Sequence, residues 1–150
     1  MADLRTNFLN MTLRNPFVVA SGILGTSPSL MERCAREGAG AVTSKSAGSK
    51  AREGHANPVA VAWDGGVINA IGLTNPGCRE EVVVLQATKA RLEKWGVKLF
   101  ASIFAPTMED YTETAKITAE SQPDLIEVNI SCPNVASEFG TPFAASAGEA

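Results

Sequence analysis

Short apolar runs alternate along the chain with longer segments whose apolar residues recur at helical spacing. These runs predict strands at 17–20, 41–43, 99–103 and 125–130, and the continuous run at 17–20 is typical of a strand buried on both faces. Ser27 and Pro28 mark the start of a helix that Gly38 ends. Further helices are predicted over 79–95 and after Thr107. Strands that alternate with helices are typical of a parallel α/β sheet.

Four segments do not follow this alternation. Residues 59–62 and 67–69 flank an Asp-Gly-Gly turn, which predicts a hairpin because these residues accept the backbone of a tight turn. Weak alternation over 5–13 predicts a small N-terminal hairpin. Residues 47–58 form a loop long enough to act as a lid, and 144–150 resemble the opening of a helix.

Polar residues lie at or near the ends of the predicted strands, at Ser21, Lys45, Ser102 and Asn129. Open parallel sheets and (β/α)8 barrels both place their active sites at this edge. No glycine-rich dinucleotide or P-loop motif follows a strand, which disfavours a dinucleotide fold. A full barrel has eight βα units over about 250 residues. We therefore expect residues 1–150 to supply the first four units, the N-terminal half of a single barrel domain.

Composition narrows the setting in which this fold works. The 150 residues are 45% hydrophobic and 19% charged with net charge −3, so no basic surface indicates nucleic acid or an anionic membrane. No apolar run has the roughly 18 residues of a membrane span, and residues 1–11 lack a signal-peptide core. Cys34, Cys78 and Cys132 are far apart, which argues against disulfides and against a metal site. These features favour a cytoplasmic protein.

The segment 126–134 carries the most informative chemistry. A buried strand leads into a loop with two amides, a hydroxyl and the thiol of Cys132 within six residues, and Pro133 favours an extended Cys132. Neutral amides beside a thiol suit a planar, polar, uncharged ring better than a phosphate or a metal ion. A polar turn after a core strand remains the alternative for these residues alone.

Several motifs in order along the chain resemble the class 1 dihydroorotate dehydrogenases. They are residues 15–17 (NPF) with 20–22 (ASG), 42–46 (VTSKS), 52–54 (REG), 68–73 (INAIGL) with 75–77 (NPG), and 129–134 (NISCPN). Ile71 and the NPG motif resemble the 1B subclass.

This resemblance implies a flavin-binding (β/α)8 barrel that uses FMN to oxidise dihydroorotate to orotate in de novo pyrimidine (UMP) biosynthesis. It also implies a homodimer or a heterotetramer with an iron–sulfur flavoprotein subunit, which would carry FAD and a 2Fe-2S cluster and pass electrons to NAD. Cys132 would be the base that removes the C5 proton, while a hydride passes from C6 to flavin N5. The flavin would contact Ala20, Ser21, Gly22, Lys45, Ser46 and Asn129, and the substrate would contact Lys45, Asn69, Gly72, Leu73, Asn129 and Asn134.

Three other functions remain open. A dihydropyrimidine dehydrogenase-like flavoenzyme would act on uracil or thymine, although we would expect a histidine where Asn134 stands. A Schiff-base aldolase would use Lys45 as its nucleophile. A non-catalytic half-barrel would need another chain to complete it.

Cys34 and Cys78 are interpreted as packing residues, and Asn57 and Asn75 as turn residues.

Overall fold

A computed structural model describes residues 2–133, 139–148 and 150. The strands are β1 (Thr6–Phe8), β2 (Met11–Leu13), β3 (Val18–Val19), β4 (Ala41–Thr43), β5 (Ala60–Trp63), β6 (Gly66–Asn69), β7 (Lys98–Ile103) and β8 (Leu125–Val128). The α-helices are α1 (Pro28–Arg36), α2 (Cys78–Leu92) and α3 (Met108–Ala119). Short 3-10 turns occur at Ile23–Gly25, Glu93–Trp95 and Phe143–Ala145.

The central sheet is parallel and has the strand order β3-β4-β7-β8. Its register pairs Val18 with Ala41, Thr43 with Phe100, and Phe100 with Leu125. A helix connects each strand to the next, as parallel pairing requires. Because neighbours in sequence are also neighbours in the sheet, the four strands have the order of consecutive barrel strands.

The predicted helix starts are confirmed at atomic detail. Ser27 Oγ accepts a hydrogen bond from Leu30 N at 3.4 Å, and Pro28 is the first helical residue of α1. Thr107 Oγ1 accepts from Asp110 N at 3.1 Å at the start of α3. These caps satisfy amide groups that have no partner within the helix.

The main core lies between the helices and one face of the sheet. Its fully buried members include Met31 from α1, Leu85 and Leu92 from α2, and Val42 and Leu99 from the sheet. At the amino-terminal ends of the strands, the predicted hairpin β1–β2 packs Leu13 against Ala41 and Phe100. The carboxyl ends of the strands are therefore not covered by this hairpin, and polar side chains lie there.

The prediction that β3 is buried on both faces was wrong. Phe17 is 68% exposed and Val18 is 42% exposed. The reason is that β3 is an edge strand of the described sheet, with β4 on one side only. The apolar run was correctly interpreted as a strand, but its neighbours in the sheet decide its burial.

The predicted helix over 144–150 is also absent from the described residues. Phe143–Ala145 forms a 3-10 turn, and Ser146 already has extended backbone angles. Ala144 N donates to Ile130 O at 3.0 Å, so this amide bonds to the segment after β8 and not within a helix. No helix in the described part of the chain is long and apolar enough to cross a membrane.

The long loop over 47–58 is fixed by the segment that precedes α2. Arg52 and Asn75 exchange backbone hydrogen bonds of 2.8 and 3.0 Å. The buried Asn75 side chain donates to Leu73 O at 2.7 Å and accepts from Gly77 N at 2.9 Å. Asn75 is therefore the turn residue that the sequence predicted, and it holds this loop against the carboxyl edge of the sheet.

Candidate active site

Four side chains from the ends of all four parallel strands form one hydrogen-bonded network. Ser46 Oγ lies 3.2 Å from Ser21 Oγ and 2.8 Å from Ser102 Oγ. Asn129 Nδ2 donates to Ser46 Oγ at 3.1 Å. The network (Ser21, Ser46, Ser102 and Asn129) forms because the carboxyl ends of parallel strands meet at one edge of the sheet.

Lys45 follows β4 and projects a cation into the same region. Its backbone amide donates to Gly25 O at 2.9 Å, so the turn Ile23–Gly25 supports the strand end. The side chain is half-buried, and this burial lowers the pKa of the Lys45 ammonium from its usual value. The Cys132 side chain acts on this pKa in the opposite direction, because a negative charge nearby favours the charged form of a lysine.

Cys132 lies in the segment that follows β8. It is half-buried and packs beside Leu73 and Phe104, which are 5% exposed each.

The other two cysteines, Cys34 and Cys78, do not line the cavity that contains Lys45 and Cys132. Cys78 is buried against Val82 and Ile117, where burial raises the pKa of its thiol, and Cys34 packs at the edge of the main core. The interpretation of Cys34 and Cys78 as packing residues is confirmed.

A backbone turn at Gly72 and Leu73 forms another wall. Both residues have positive φ, +80° and +56°, and the Asn75 side chain holds Leu73 O. A Cβ at Gly72 would lie 2.7 Å from the His55 ring, so this position accepts only glycine without displacing its neighbours. The turn therefore presents backbone groups to the space in front of Lys45.

These elements enclose a cavity of about 350 Å³, within the range of small-molecule sites. Its lining comprises Ser21, Gly22, Ile23, Lys45, Ser46, Ala60, Val67, Asn69, Ile71, Gly72, Leu73, Asn129 and Cys132. One face of the hairpin β5–β6 contributes Ala60, Val67 and Asn69, and Ala60 pairs directly with Asn69 across the two strands. Within the described ranges, no three His, Cys, Asp or Glu side chains converge as metal ligands.

Most of the residues predicted to form the site lie together in this cavity. Ala20 is exposed and does not line it, although Ser21 and Gly22 do. Asn134 lies outside the described residues. The sequence reasoning missed Ile23, Ala60, Val67 and Ile71 as wall residues, and it named Ser102 only as a strand-end residue. Cross-strand pairing with Asn69 was the signal that could have identified Ala60.

A parallel sheet wound in chain order, with a cavity that contains Lys45, Asn129 and Cys132 at the carboxyl ends of its strands, defines part of a (β/α)8 barrel. The family model described as dihydroorotate dehydrogenase matches residues 3–147. The chain belongs to the dihydroorotate dehydrogenase family, whose fold is this barrel.

The curated relatives agree with this family. The catalytic subunit of dihydroorotate dehydrogenase B (NAD(+)) from Methanocaldococcus jannaschii is 41% identical over 131 residues, which cover 87% of this chain and 42% of the relative. The subunit of the same name from Methanothermobacter thermautotrophicus is 39% identical over 140 residues, covering 91% of this chain and 43% of the relative. The chain thus spans less than half the length of these relatives. Both carry the B designation of the predicted subclass.

Proposed function

We propose that the protein containing this chain oxidises dihydroorotate to orotate with FMN as its cofactor. The observation that carries the proposal is the cavity in which Lys45 and Cys132 lie together with the amides Asn69 and Asn129. This set supplies a cation, a base and neutral hydrogen-bonding groups around one space. Membership of the dihydroorotate dehydrogenase family supports the same reaction.

The residues near β3 and β4 fit the ring system of a flavin. Ser21, Gly22 and Ser46 are small, and the space where a Cβ of Gly22 would point contains no atom of the described residues within 4 Å. A flat ring can therefore approach this backbone closely. The hydroxyl of Ser46 and the amide of Asn129 suit the polar edge of the ring, and Lys45 suits negative charge on it. The phosphate of FMN is expected to bind loops outside this chain, after later strands.

Dihydroorotate carries a carboxylate and a ring edge on which C=O and N–H groups alternate. The Lys45 ammonium would pair with the carboxylate, and the carboxamides of Asn69 and Asn129 would bind the ring edge, since an amide supplies both donors and an acceptor. Asn134 and the backbone at Gly72 and Leu73 would complete the cradle. These contacts hold the substrate with its C5–H bond towards Cys132.

Cys132 would act as the base in its thiolate form and remove the proton from C5. The electron pair of that C–H bond forms the C5–C6 double bond as a hydride leaves C6. FMN, when bound, accepts this hydride. Lys45 and Cys132 line the same cavity, so the cation and the proposed base face one bound substrate.

The relatives' name also supports a partner. The matched proteins are catalytic subunits of an NAD(+)-linked enzyme, which implies a second subunit in those enzymes. We extend this to the present protein and propose an iron–sulfur flavoprotein partner with FAD and a 2Fe-2S cluster, in a heterotetramer built on a homodimer. Electrons would pass from FMN through this partner to NAD.

One observation favours a second function. Burial lowers the pKa of Lys45, and a Schiff-base aldolase needs a lysine with a lowered pKa as its nucleophile. Borohydride reduction in the presence of a carbonyl substrate would trap such an adduct on Lys45. Under the leading proposal, no adduct forms.

The test is the absorption spectrum of the full-length protein, recorded anaerobically before and after addition of dihydroorotate. We expect a yellow protein whose flavin bands bleach. Dihydrouracil, which lacks the carboxylate, is the control and should bleach the bands far more slowly. A colourless protein, or faster bleaching by dihydrouracil, would contradict the proposal and favour the half-barrel or the dihydropyrimidine alternative respectively.

A further inference from the structure

We infer that Tyr111 is a positioning residue that fixes the strand end carrying Asn129 and Cys132. Tyr111 is on α3, and its hydroxyl donates to the backbone carbonyl of Asn129 at 2.6 Å. Asn129 is the last residue tied to the sheet, since its amide donates to Ile103 O at 2.8 Å. The inference rests on the proposed function for its kinetic readout only.

The hydrogen bond acts at a point where the regular sheet ends. Beyond Val128 the strand pairing with β7 stops, so the carbonyls of Asn129 and Ile130 need other partners. Tyr111 supplies the partner for Asn129 O, and Ala144 N supplies it for Ile130 O at 3.0 Å. These two bonds fix the backbone three and two residues before Cys132.

The ring of Tyr111 is itself held firmly. It packs with Ile103 and Ala105 in a buried cluster, and its centroid lies 5.8 Å from that of Phe143 in an edge-to-face contact. Phe143 directly precedes Ala144. Tyr111 therefore contacts the end of β8 through its hydroxyl and the segment around Ala144 through its ring. Burial raises the pKa of the Tyr111 hydroxyl, which therefore remains a donor.

Loss of the hydroxyl alone should release this strand end while leaving the ring packing intact. Tyr111→Phe leaves Asn129 O without its donor, and Asn129 then has a backbone carbonyl to satisfy elsewhere. A shift of the strand end moves the Asn129 amide relative to Ser46 and moves Cys132 relative to Lys45. A displacement of about 1 Å in an active site can slow a reaction by about 100-fold.

The matched control is Thr107→Ala. This variant removes the N-cap of the same helix, whose hydroxyl accepts from Asp110 N at 3.1 Å. It weakens α3 without touching Asn129. Any effect that passes through the stability of α3 will therefore appear in both variants.

Two measurements on the full-length holoprotein test the inference. The first is the anaerobic rate of flavin reduction by saturating dihydroorotate, normalised to bound FMN. We expect Tyr111→Phe to be slower by between about 10-fold and 100-fold, and Thr107→Ala to match the wild type. Loss of FMN with an unchanged rate per bound flavin would show a purely structural role and would overturn the inference.

The second measurement does not depend on the reaction. Alkylation of Cys132 by iodoacetamide is followed by peptide mass spectrometry, with the half-buried Cys34 as the internal reference. We expect the ratio of Cys132 to Cys34 labelling to rise severalfold in Tyr111→Phe and to stay constant in Thr107→Ala. An unchanged ratio, or an equal rise in both variants, would overturn the inference. A wild-type flavin that dihydroorotate fails to reduce would contradict the proposed function alone.

Discussion

The backbone amide of Lys45 donates to the carbonyl of Gly25 at 2.9 Å. The position of the site's cation therefore depends on a turn 20 residues earlier in the chain. The approach is close because Gly25 has no side chain. A Cβ there would lie 2.5 Å from Thr43 O and 2.6 Å from Lys45 N, both backbone atoms that cannot move independently.

Gly25→Ala should therefore push the turn away from β4 and displace Lys45. We expect a loss of about 1–3 kcal/mol in the free energy of unfolding, because overpacking against backbone is costly. Orotate affinity, measured by perturbation of the flavin spectrum, should fall as well. Gly148→Ala is the control, since no atom from the described part of the chain lies within 4 Å of that Cβ position. Equal stability of the two variants would contradict the proposed role of Gly25.

Cys132→Ala should retain flavin but reduce it slowly. Removal of a general base typically costs about 10²–10⁴-fold in rate, and Cys132 is the thiol that lines the cavity beside Lys45. Stopped-flow reduction by dihydroorotate gives the rate per bound flavin. Cys78→Ala, which alters a buried packing thiol, is the control and should keep its rate. Near-normal reduction in Cys132→Ala would exclude the thiol as the base.

Ser46→Ala should disrupt the network at its centre. Asn129 Nδ2 and the hydroxyls of Ser21 and Ser102 would each lose a partner. Because a buried polar group left without a partner costs about 1–3 kcal/mol, we expect a lower free energy of unfolding by that amount. FMN should also bind more weakly. Ser49→Ala, in the exposed part of the nearby loop, should change neither quantity.

The buried carboxyl of Glu81 should make the free energy of unfolding depend on pH. Glu81 is 5% exposed, its Oε1 has no hydrogen-bond partner among the residues that the structure describes, and burial raises the pKa of its carboxyl from 4.5 to about 7. Below pH 4.5 both the folded and the unfolded chain hold the proton. Between 4.5 and about 7 the unfolded chain releases it first, so the folded state loses stability as pH rises, and the loss is complete above 7.

Glu81→Gln should therefore stabilise the protein at alkaline pH and have little effect in acid. We expect a gain of about 1–3 kcal/mol at about pH 8, since the variant avoids a buried charge. Urea unfolding of both proteins, at about pH 8 and again below the unfolded pKa of 4.5, measures this gain. Glu80→Gln changes the exposed neighbour on the same helix and should show no such pH dependence. A gain that is equal at both pH values would rule out titration of Glu81 as the cause.

The elements of the fold were predictable because each has a local signal. Ser27 and Thr107 cap the helices that they were expected to cap, and Asn69 lies on the predicted hairpin. Burial was less predictable. Helical spacing alone would place Met108 on the same face of α3 as Tyr111, yet Met108 is 62% exposed and Tyr111 is buried. Met108 is the first residue of the helix, beyond the surface that the sheet covers.

The sequence predicted that the site residues lie at the ends of the strands, but it did not predict the hydrogen bonds between their side chains. Ser46 and Asn129 are 83 residues apart, and no local pattern indicates that their side chains meet. The hydrogen bond from Tyr111 to the Asn129 carbonyl likewise depends on how α3 packs on the sheet. Contacts of this kind are set by tertiary structure, whereas capping and turn formation are set by neighbours in sequence.

The hydroxyl of Ser46 has one proton and two lone pairs to share among three partners. Asn129 donates into one lone pair, so Ser46 must donate to one of Ser21 and Ser102 and accept from the other. The network therefore has two proton arrangements with the same heavy-atom positions. Reversal of the hydroxyls exchanges which end of the network offers a proton, and a ligand can select either arrangement without any movement of the backbone.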